Sequence, residues 1–256
     1  MTSGRATLIL VHGAWHGSWC WERLLPHLEQ RGIAVRTVDL PSVSRSAGAE
    51  PRSASARKPG DRAVGLRDDA DEVRAAIESV EGPVVLCGHS YGGMVISHAG
   101  SHPRVHSRIA RLIYLCAFMP EPRQSLVAIG GDRHAPWIRM LDEQMTLPDL
   151  SLAGEVFYND CDAPTREWAI ARLAPQCNAA FIAPVARPAW RDIPSTYIVC
   201  ATDGALPPDL QRTLFAPRAE RSMELDTGHS PFLSQPAALA QALAQALEAG
   251  RRQGGL

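Results

Sequence analysis

The stretch that most constrains this chain is Val84-Val85-Leu86-Cys87 running into Gly88-His89-Ser90-Tyr91-Gly92-Gly93. The four apolar residues read as a short strand buried on both faces, and Met94-Val95-Ile96-Ser97-His98-Ala99 beyond can continue as a helix. Gly88-His89-Ser90-Tyr91-Gly92 between them fits the pattern G-x-S-x-G. A serine on a sharp strand-to-helix turn is held with its Oγ exposed, in a backbone conformation that crowds its neighbours. Glycines at Gly88 and Gly92 remove the side chains that would clash there. The helix start also offers N–H groups and a positive dipole end to developing negative charge. The pattern alone is a weak signal in a chain with 20 glycines. Flanked by a strand and a helix, it makes Ser90 a candidate nucleophile.

The rest of the chain supplies a sheet for that turn. Ala6 to Val11 is a continuous apolar run, and a glycine-punctuated loop, His12-Gly13-Ala14-Trp15-His16-Gly17, follows it. Ser18 is placed to cap a helix over residues 19–30, closed by Gly32, and residues 34–39 give the next strand. A strand, a helix and a strand with short connections are the signature of a parallel βαβ unit. Residues 40–62 lack any hydrophobic period and read as a long surface loop. Helical spacing returns over 66–80, and strands are expected at 112–116, 196–201 and 223–225, with helices at 207–215 and 236–249 and a frayed tail over 250–256. From 120 to 192 the alternation stops. That segment carries Trp137, Met140, Met145, Phe157, Tyr158, Trp168, Phe181 and Trp190 among short helical pieces such as 136–145 and 164–174. An insertion there would lie over the carboxyl ends of the strands, where ligands bind in open α/β sheets. The expectation is one α/β domain over 1–256, a mostly parallel twisted sheet flanked by helices, with a helical lid at 120–192.

Composition narrows the function classes. The net charge is −1 with 21% charged residues and no basic stripe, so nucleic acid is not an expected partner. Six cysteines show no C-x-x-C pair or metal-ligand spacing, and a reduced, cytoplasmic location fits them. No apolar run approaches the ~20 residues that span a bilayer. No metal or organic cofactor is implied. The sequence is silent on oligomeric state, and a homodimer is compatible with it.

A serine hydroxyl needs a base to take its proton, and the base needs an acid to fix its tautomer. Among nine histidines, His229 lies in Asp226-Thr227-Gly228-His229-Ser230-Pro231-Phe232, just past the last short strand and so at the same sheet edge as Ser90. Asp203 follows the 196–201 strand at that edge, and gives the order Ser…Asp…His. Asp226, Asp132 and Glu121 are weaker rivals for the acid. The oxyanion needs backbone donors, expected from Tyr91, after the nucleophile, and Ala14, after the first strand. His12 and His89 are expected to shape their loops through side-chain hydrogen bonds. Gly13, Trp15, His16, Trp137, Phe157 and Phe181 are candidates for lining the substrate site.

These residues support a family. The chain resembles the α/β-hydrolase superfamily, and within it the branch of plant methylesterases, hydroxynitrile lyases and related bacterial esterases. His12-Gly13-Ala14-Trp15-His16-Gly17-Ser18-Trp19-Cys20-Trp21 is similar to that branch's N-terminal signature. Gly88-His89-Ser90-Tyr91-Gly92-Gly93 is similar to its nucleophile turn, and Gly228-His229-Ser230-Pro231-Phe232 to its histidine loop. The resemblance implies a serine hydrolase acting through an acyl-enzyme on a small-molecule ester. Lyases of the branch carry a threonine in the first loop and a lysine beside the catalytic histidine. Gly13 and Ser230 stand at those positions, and Lys58 is the only lysine in the chain. An ester hydrolase with a Ser90–His229–Asp203 triad is therefore expected, and the aromatic lid favours a hydrophobic ester. Cyanohydrin cleavage and a non-catalytic small-molecule receptor are the alternatives, and amides and lactones remain open as substrates.

Overall fold

A computed structural model of the protein describes residues 6–44, 63–130, 135–142 and 144–251. Most of the expected 40–62 loop, the rival acid Asp132 and the last five residues lie outside the described residues.

Among the described residues, nine strands divide between two sheets. The larger contains β1 (Thr7–Val11), β2 (Val35–Val38), β3 (Val84–His89), β4 (Ile109–Leu115), β8 (Ser195–Cys200) and β9 (Arg221–Leu225), in the order β2-β1-β3-β4-β8-β9. Every neighbouring pair in it is parallel. Central strands β3 and β8 are buried along their whole length, whereas the edge strands β2 and β9 are half-buried or exposed at every position but Val38. That difference is why Leu8–Val11 of β1 and Val84–Cys87 of β3 read as unbroken apolar runs: helices cover both faces of a parallel sheet. The chain steps outward from β1 to β2, then crosses back to β3 on the other side of β1. Strand order reverses between β1 and β3, and a crevice opens at their carboxyl ends. Ser90 immediately follows β3, and the His12–Gly17 loop immediately follows β1.

Several elements depart from the sequence expectation. Residues 19–30 form a tight turn, Ser18–Trp21, and a separate short helix, Leu25–Glu29, instead of one helix. Ser18 does not cap it. Its N–H and hydroxyl both donate to Asp39, at 2.6 and 3.0 Å, tying the loop to the end of β2. The helix Leu66–Glu78 starts where Asp68 accepts from the Gly65 N–H at 2.9 Å.

The 120–192 segment is not only helical. Residues 136–145, expected as a helix, form a hairpin of β5 (Ile138–Met140) and β6 (Met145–Pro148), joined in an antiparallel sheet by β7 (Gln176–Cys177). The turn is set by Asp142, whose Oδ1 accepts from the N–H groups of Gln144 and Met145 at 2.7 and 2.8 Å, closing a loop that a helix would not allow. Short helices Ala153–Phe157, Ala163–Ile170 and Ala179–Ile182 surround this small sheet. Asp162 caps the second by accepting from Thr165 N–H at 2.9 Å. Phe157, Tyr158 and Phe181 turn inward and are buried, whereas Met140 is exposed at the hairpin tip. No helix among the described residues is long and apolar enough to cross a membrane.

Candidate active site

Ser90 sits in the left-handed region at φ +52°, a conformation a non-glycine residue adopts only when its surroundings impose it. The surroundings are close-packed backbone. A Cβ on Gly88 would lie 2.5 Å from the Gly92 oxygen, and one on Gly92 would lie 2.6 Å from the Val11 oxygen. The two glycines of the motif are therefore required by contact with each other and with β1. Ser90 is half-buried, and its Oγ makes no hydrogen bond among the described residues.

His229 and Asp203 meet across the sheet edge. Asp203 Oδ2 lies 2.8 Å from His229 Nδ1, with both side chains almost wholly removed from solvent. A carboxylate only accepts, so Nδ1 carries the proton and Nε2 is left with its lone pair, the tautomer a general base needs. Asp203 receives three further donors: Ala205 and Leu206 N–H on Oδ1 at 2.7 and 2.8 Å, and Gln211 Nε2 on Oδ2 at 2.9 Å. Gln211 was not singled out from the sequence. It lies in a wide turn where Ala216 N–H bonds the Gln211 carbonyl five residues back, and its own Oε1 accepts from Cys200 N–H at 3.0 Å. The rival acid Glu121 is engaged elsewhere, with Arg191 and Arg218.

The His229 loop is held from several directions. Its carbonyl accepts from His89 Nε2 at 2.9 Å and from the Cys116 thiol at 3.5 Å. Gly228 N–H donates to Asp160 Oδ2 at 2.7 Å, and the neighbouring Asn159 donates to the Thr202 carbonyl, also at 2.7 Å. Two consecutive residues of the inserted segment thus pin both the acid loop and the histidine loop. Side-chain donor atoms of His89, Cys116 and His229 lie within 4.8 Å of one another. Two of the three bond the His229 carbonyl, so the arrangement holds a loop in place.

The loop after β1 faces the serine. A Cβ on Gly13 would sit 3.0 Å from Ser90 Cβ and 2.8 Å from His89 Nδ1, so only glycine lets this backbone come so near the nucleophile. Among the described residues, neither the Ala14 nor the Tyr91 N–H has an acceptor. His12 donates from Nδ1 to the Gly13 carbonyl at 2.8 Å and accepts at Nε2 from Leu40 N–H at 3.1 Å. His16 donates to the Ala14 carbonyl at 2.7 Å and accepts the Tyr158 hydroxyl at 2.8 Å. Burial lowers the pKa of His12, His16 and His89, that of His16 to about 3, so all three remain neutral.

Above the loop the candidate lining residues converge. Trp15 packs its ring against Trp137, Phe157 and Phe181 at centroid separations of 5.7, 6.1 and 5.5 Å. Phe157 in turn contacts the His229 ring at 5.7 Å, and Phe181 the Tyr91 ring at 5.5 Å. His16 belongs to the same cluster through Phe157, and stacks on Trp19 on its other side.

A strained serine at a strand end, a buried Asp–His pair and a glycine-thinned loop opposite them, on a parallel sheet, define a hydrolase-type α/β site. A family model described as the alpha/beta hydrolase family matches residues 8–242, and the chain belongs to that family. It is 33% identical to a carbendazim hydrolyzing esterase of Nocardioides sp. (strain SG-4G), over 70% of this chain and 73% of that protein. It is 29% identical to polyneuridine aldehyde esterase of Rauvolfia serpentina, over 89% of this chain and 90% of that one. Among solved structures, a pyrethroid hydrolase from Sphingobium faniae JZ-2 superposes with a TM-score of 0.77 at 26% identity, covering 95% of this chain and 98% of the other. These relatives fall in the branch expected from the three motifs.

Proposed function

We propose that the protein is a carboxylic ester hydrolase acting through an acyl-enzyme on Ser90. The observation that carries this reading is the buried Asp203–His229 pair, with Nε2 left as a base on the same sheet edge as a serine at φ +52°. Ser90 Oγ attacks the ester carbonyl while its proton passes to His229 Nε2, and Asp203 stabilises the imidazolium. The carbonyl electrons move onto oxygen, where the Ala14 and Tyr91 N–H groups receive the charge. Collapse breaks the bond to the alcohol, which leaves with the proton from His229. Water, deprotonated by the same nitrogen, then releases the acid and restores Ser90. The aromatic cluster of Trp15, Trp137, Phe157 and Phe181 favours a hydrophobic ester, and the inserted segment that supplies three of these rings serves as a lid. The carbendazim and pyrethroid names of relatives agree with substrates of that kind.

The site departs from what cyanohydrin cleavage in this branch uses. A threonine at position 13 would meet His89 and Ser90, and position 230 holds a buried serine instead of a lysine.

Hydrolysis of p-nitrophenyl acetate and butyrate, with Ser90→Ala purified in parallel, tests the reading. Ser90→Ala is expected to lower kcat by about 10⁶. Wild-type turnover no faster than that of the variant would refute ester hydrolysis, and mandelonitrile would then be the next substrate.

A further inference from the structure

A continuous buried chain of hydrogen bonds joins the two loops that carry the proposed oxyanion donors. Tyr91 O–H donates to Asp69 Oδ2 at 2.6 Å, and Ser42 O–H donates to the same oxygen at 2.6 Å. Ser42 N–H donates to Asp69 Oδ1 at 2.8 Å. Gln176 Nε2 donates to Ser42 Oγ at 2.9 Å, and Gln176 Oε1 accepts the Trp15 N–H at 3.0 Å. Ser42, Asp69, Tyr91 and Gln176 are all completely removed from solvent.

The direction of every bond is forced. Trp15 N–H can only donate, so the Gln176 oxygen must face it. The Gln176 amide then faces Ser42 Oγ, whose own proton goes to Asp69. An ionised carboxylate takes all three donors with no proton of its own to place, whereas a protonated acid would bring an O–H that needs an acceptor. At one end of the chain lies Tyr91, whose own N–H is a proposed donor. At the other lies Trp15, bonded directly to Ala14, the second proposed donor.

Trp15 requires such support. Its backbone stands at φ +61°, a left-handed conformation that costs a non-glycine residue energy. Besides the Gln176 bond, its carbonyl accepts from Ala174 N–H at 2.9 Å and its indole N–H donates to Thr146 Oγ1 at 3.1 Å. Thr146 lies in β6 and Gln176 in β7, so all three supports come from the inserted segment. Ser42 is joined to that segment too, since Cys177 N–H donates to its carbonyl at 2.9 Å.

We propose that Asp69, Ser42 and Gln176 are positioning residues that fix the spacing of the two oxyanion-donor loops, and so tie transition-state stabilisation to the small sheet of the inserted segment. The inference rests on the hydrolase reading above. Its content is that these groups act on kcat through Ala14 and Tyr91 without touching substrate. Core filling alone would not need a charged network, since apolar groups of similar volume commonly do as well.

The test uses the full chain, p-nitrophenyl butyrate, and a trifluoromethyl ketone whose tetrahedral hemiketal adduct on Ser90 carries an oxyanion. Tyr91→Phe and Gln176→Leu are each expected to lower kcat about tenfold, with KM changed less than about twofold, because displaced donors weaken the transition state and not ground-state binding. Ketone inhibition should weaken by the same factor. The double variant should lose less than the product of the two single losses, since both cut one chain. Tyr197→Phe removes a comparable buried hydroxyl bond, to the Ala117 carbonyl at 2.9 Å, and is expected to lower the melting temperature while leaving kcat unchanged. Tyr91→Phe deletes a single oxygen, so it reports even where Gln176→Leu does not fold. If wild type shows Ser90-dependent turnover and Tyr91→Phe keeps both kcat and ketone affinity, the positioning role is overturned while the hydrolase reading stands. Wild type without Ser90-dependent turnover overturns both.

Discussion

The two halves of the site are built on opposite principles. On the Asp203–His229 side each carboxylate oxygen takes two donors, and the histidine carbonyl takes two more. On the Ser90 side the backbone is strained and tightly packed, while the Ala14 and Tyr91 N–H groups bond nothing among the described residues. A charge that must appear and vanish during reaction is best met by dipoles that need no reorganisation, which a saturated network supplies. A reacting carbonyl must instead be given donors of its own. The difference teaches which substitutions should damage tautomer and charge, and which should damage geometry.

The saturated side should give the larger effect. Asp203→Asn leaves the shape of the acid but replaces one acceptor oxygen with an amide that donates. His229 then favours the tautomer with its proton on Nε2, where the base is needed. A fall of about 10⁴ in kcat on p-nitrophenyl butyrate is expected, with the fold retained by circular dichroism. A loss below about tenfold would mean that Asp203 does not set the tautomer.

The open side is broken by bulk. Gly13→Thr introduces the residue type that lyases of the branch carry, at a position where even its Cβ would lie 2.8 Å from His89 Nδ1. The loop must retreat, and kcat should fall about 10²-fold with a smaller change in KM. No mandelonitrile cleavage should appear, because no lysine stands beside His229. Lyase activity in this single variant would show that the first loop alone separates the two chemistries.

How much was legible follows from how local each signal is. The β3–Ser90–helix turn is written in ten consecutive residues, because tight backbone packing dictates glycine at Gly88 and Gly92. Asp203 and His229 are legible because each lies in the loop just past a strand, and strand ends at one edge meet in space. The aromatic candidates converge because large apolar groups in an insertion over that edge have little else to pack on. Gln211 was not legible, since a five-residue turn has no apolar period to betray it. The Asp69–Ser42–Gln176 chain was not legible either: its links join residues 22, 27, 134 and 161 positions apart, and none carries a local motif. Residues 136–145 read as a helix because their apolar residues fit both periods, and the Asp142 side chain decides the turn of the hairpin they form instead.

Gln211 sharpens the comparison from within the saturated side. Gln211→Leu keeps the volume but removes one of two donors from Asp203 Oδ2 and the acceptor of Cys200 N–H. Leaving buried polar groups unpaired costs about 1–3 kcal/mol, so a lower urea midpoint is expected together with a fall of kcat by about tenfold. Stability lost with kcat intact would make Gln211 a scaffold residue only.

The smallest predicted effect concerns the carboxylate that backs the open side through Tyr91. Asp69 carries a pKa raised to about 6, chiefly by burial and further by the neighbouring Asp68, although hydrogen bonds from Ser42 and Tyr91 oppose the shift. In the unfolded chain the same group titrates near 4. Between pH 4 and 6 the folded protein therefore holds a proton that the unfolded chain has lost, so this group makes stability fall as pH rises through that window. Above it the full cost of keeping a buried charge is present, at most about 3 kcal/mol. Relative to Asp69→Asn, wild type should gain stability as pH drops from 7 to 4, measured by urea unfolding at each pH. A difference that stays constant across the window would mean that folding does not raise the Asp69 pKa, and that the buried carboxylate is held without this cost. If the cost is found, the fold retains at neutral pH a charge that destabilises it. Such a cost is consistent with a carboxylate kept to accept Tyr91 and Ser42 together, and so with donors whose placement matters more than the stability given up.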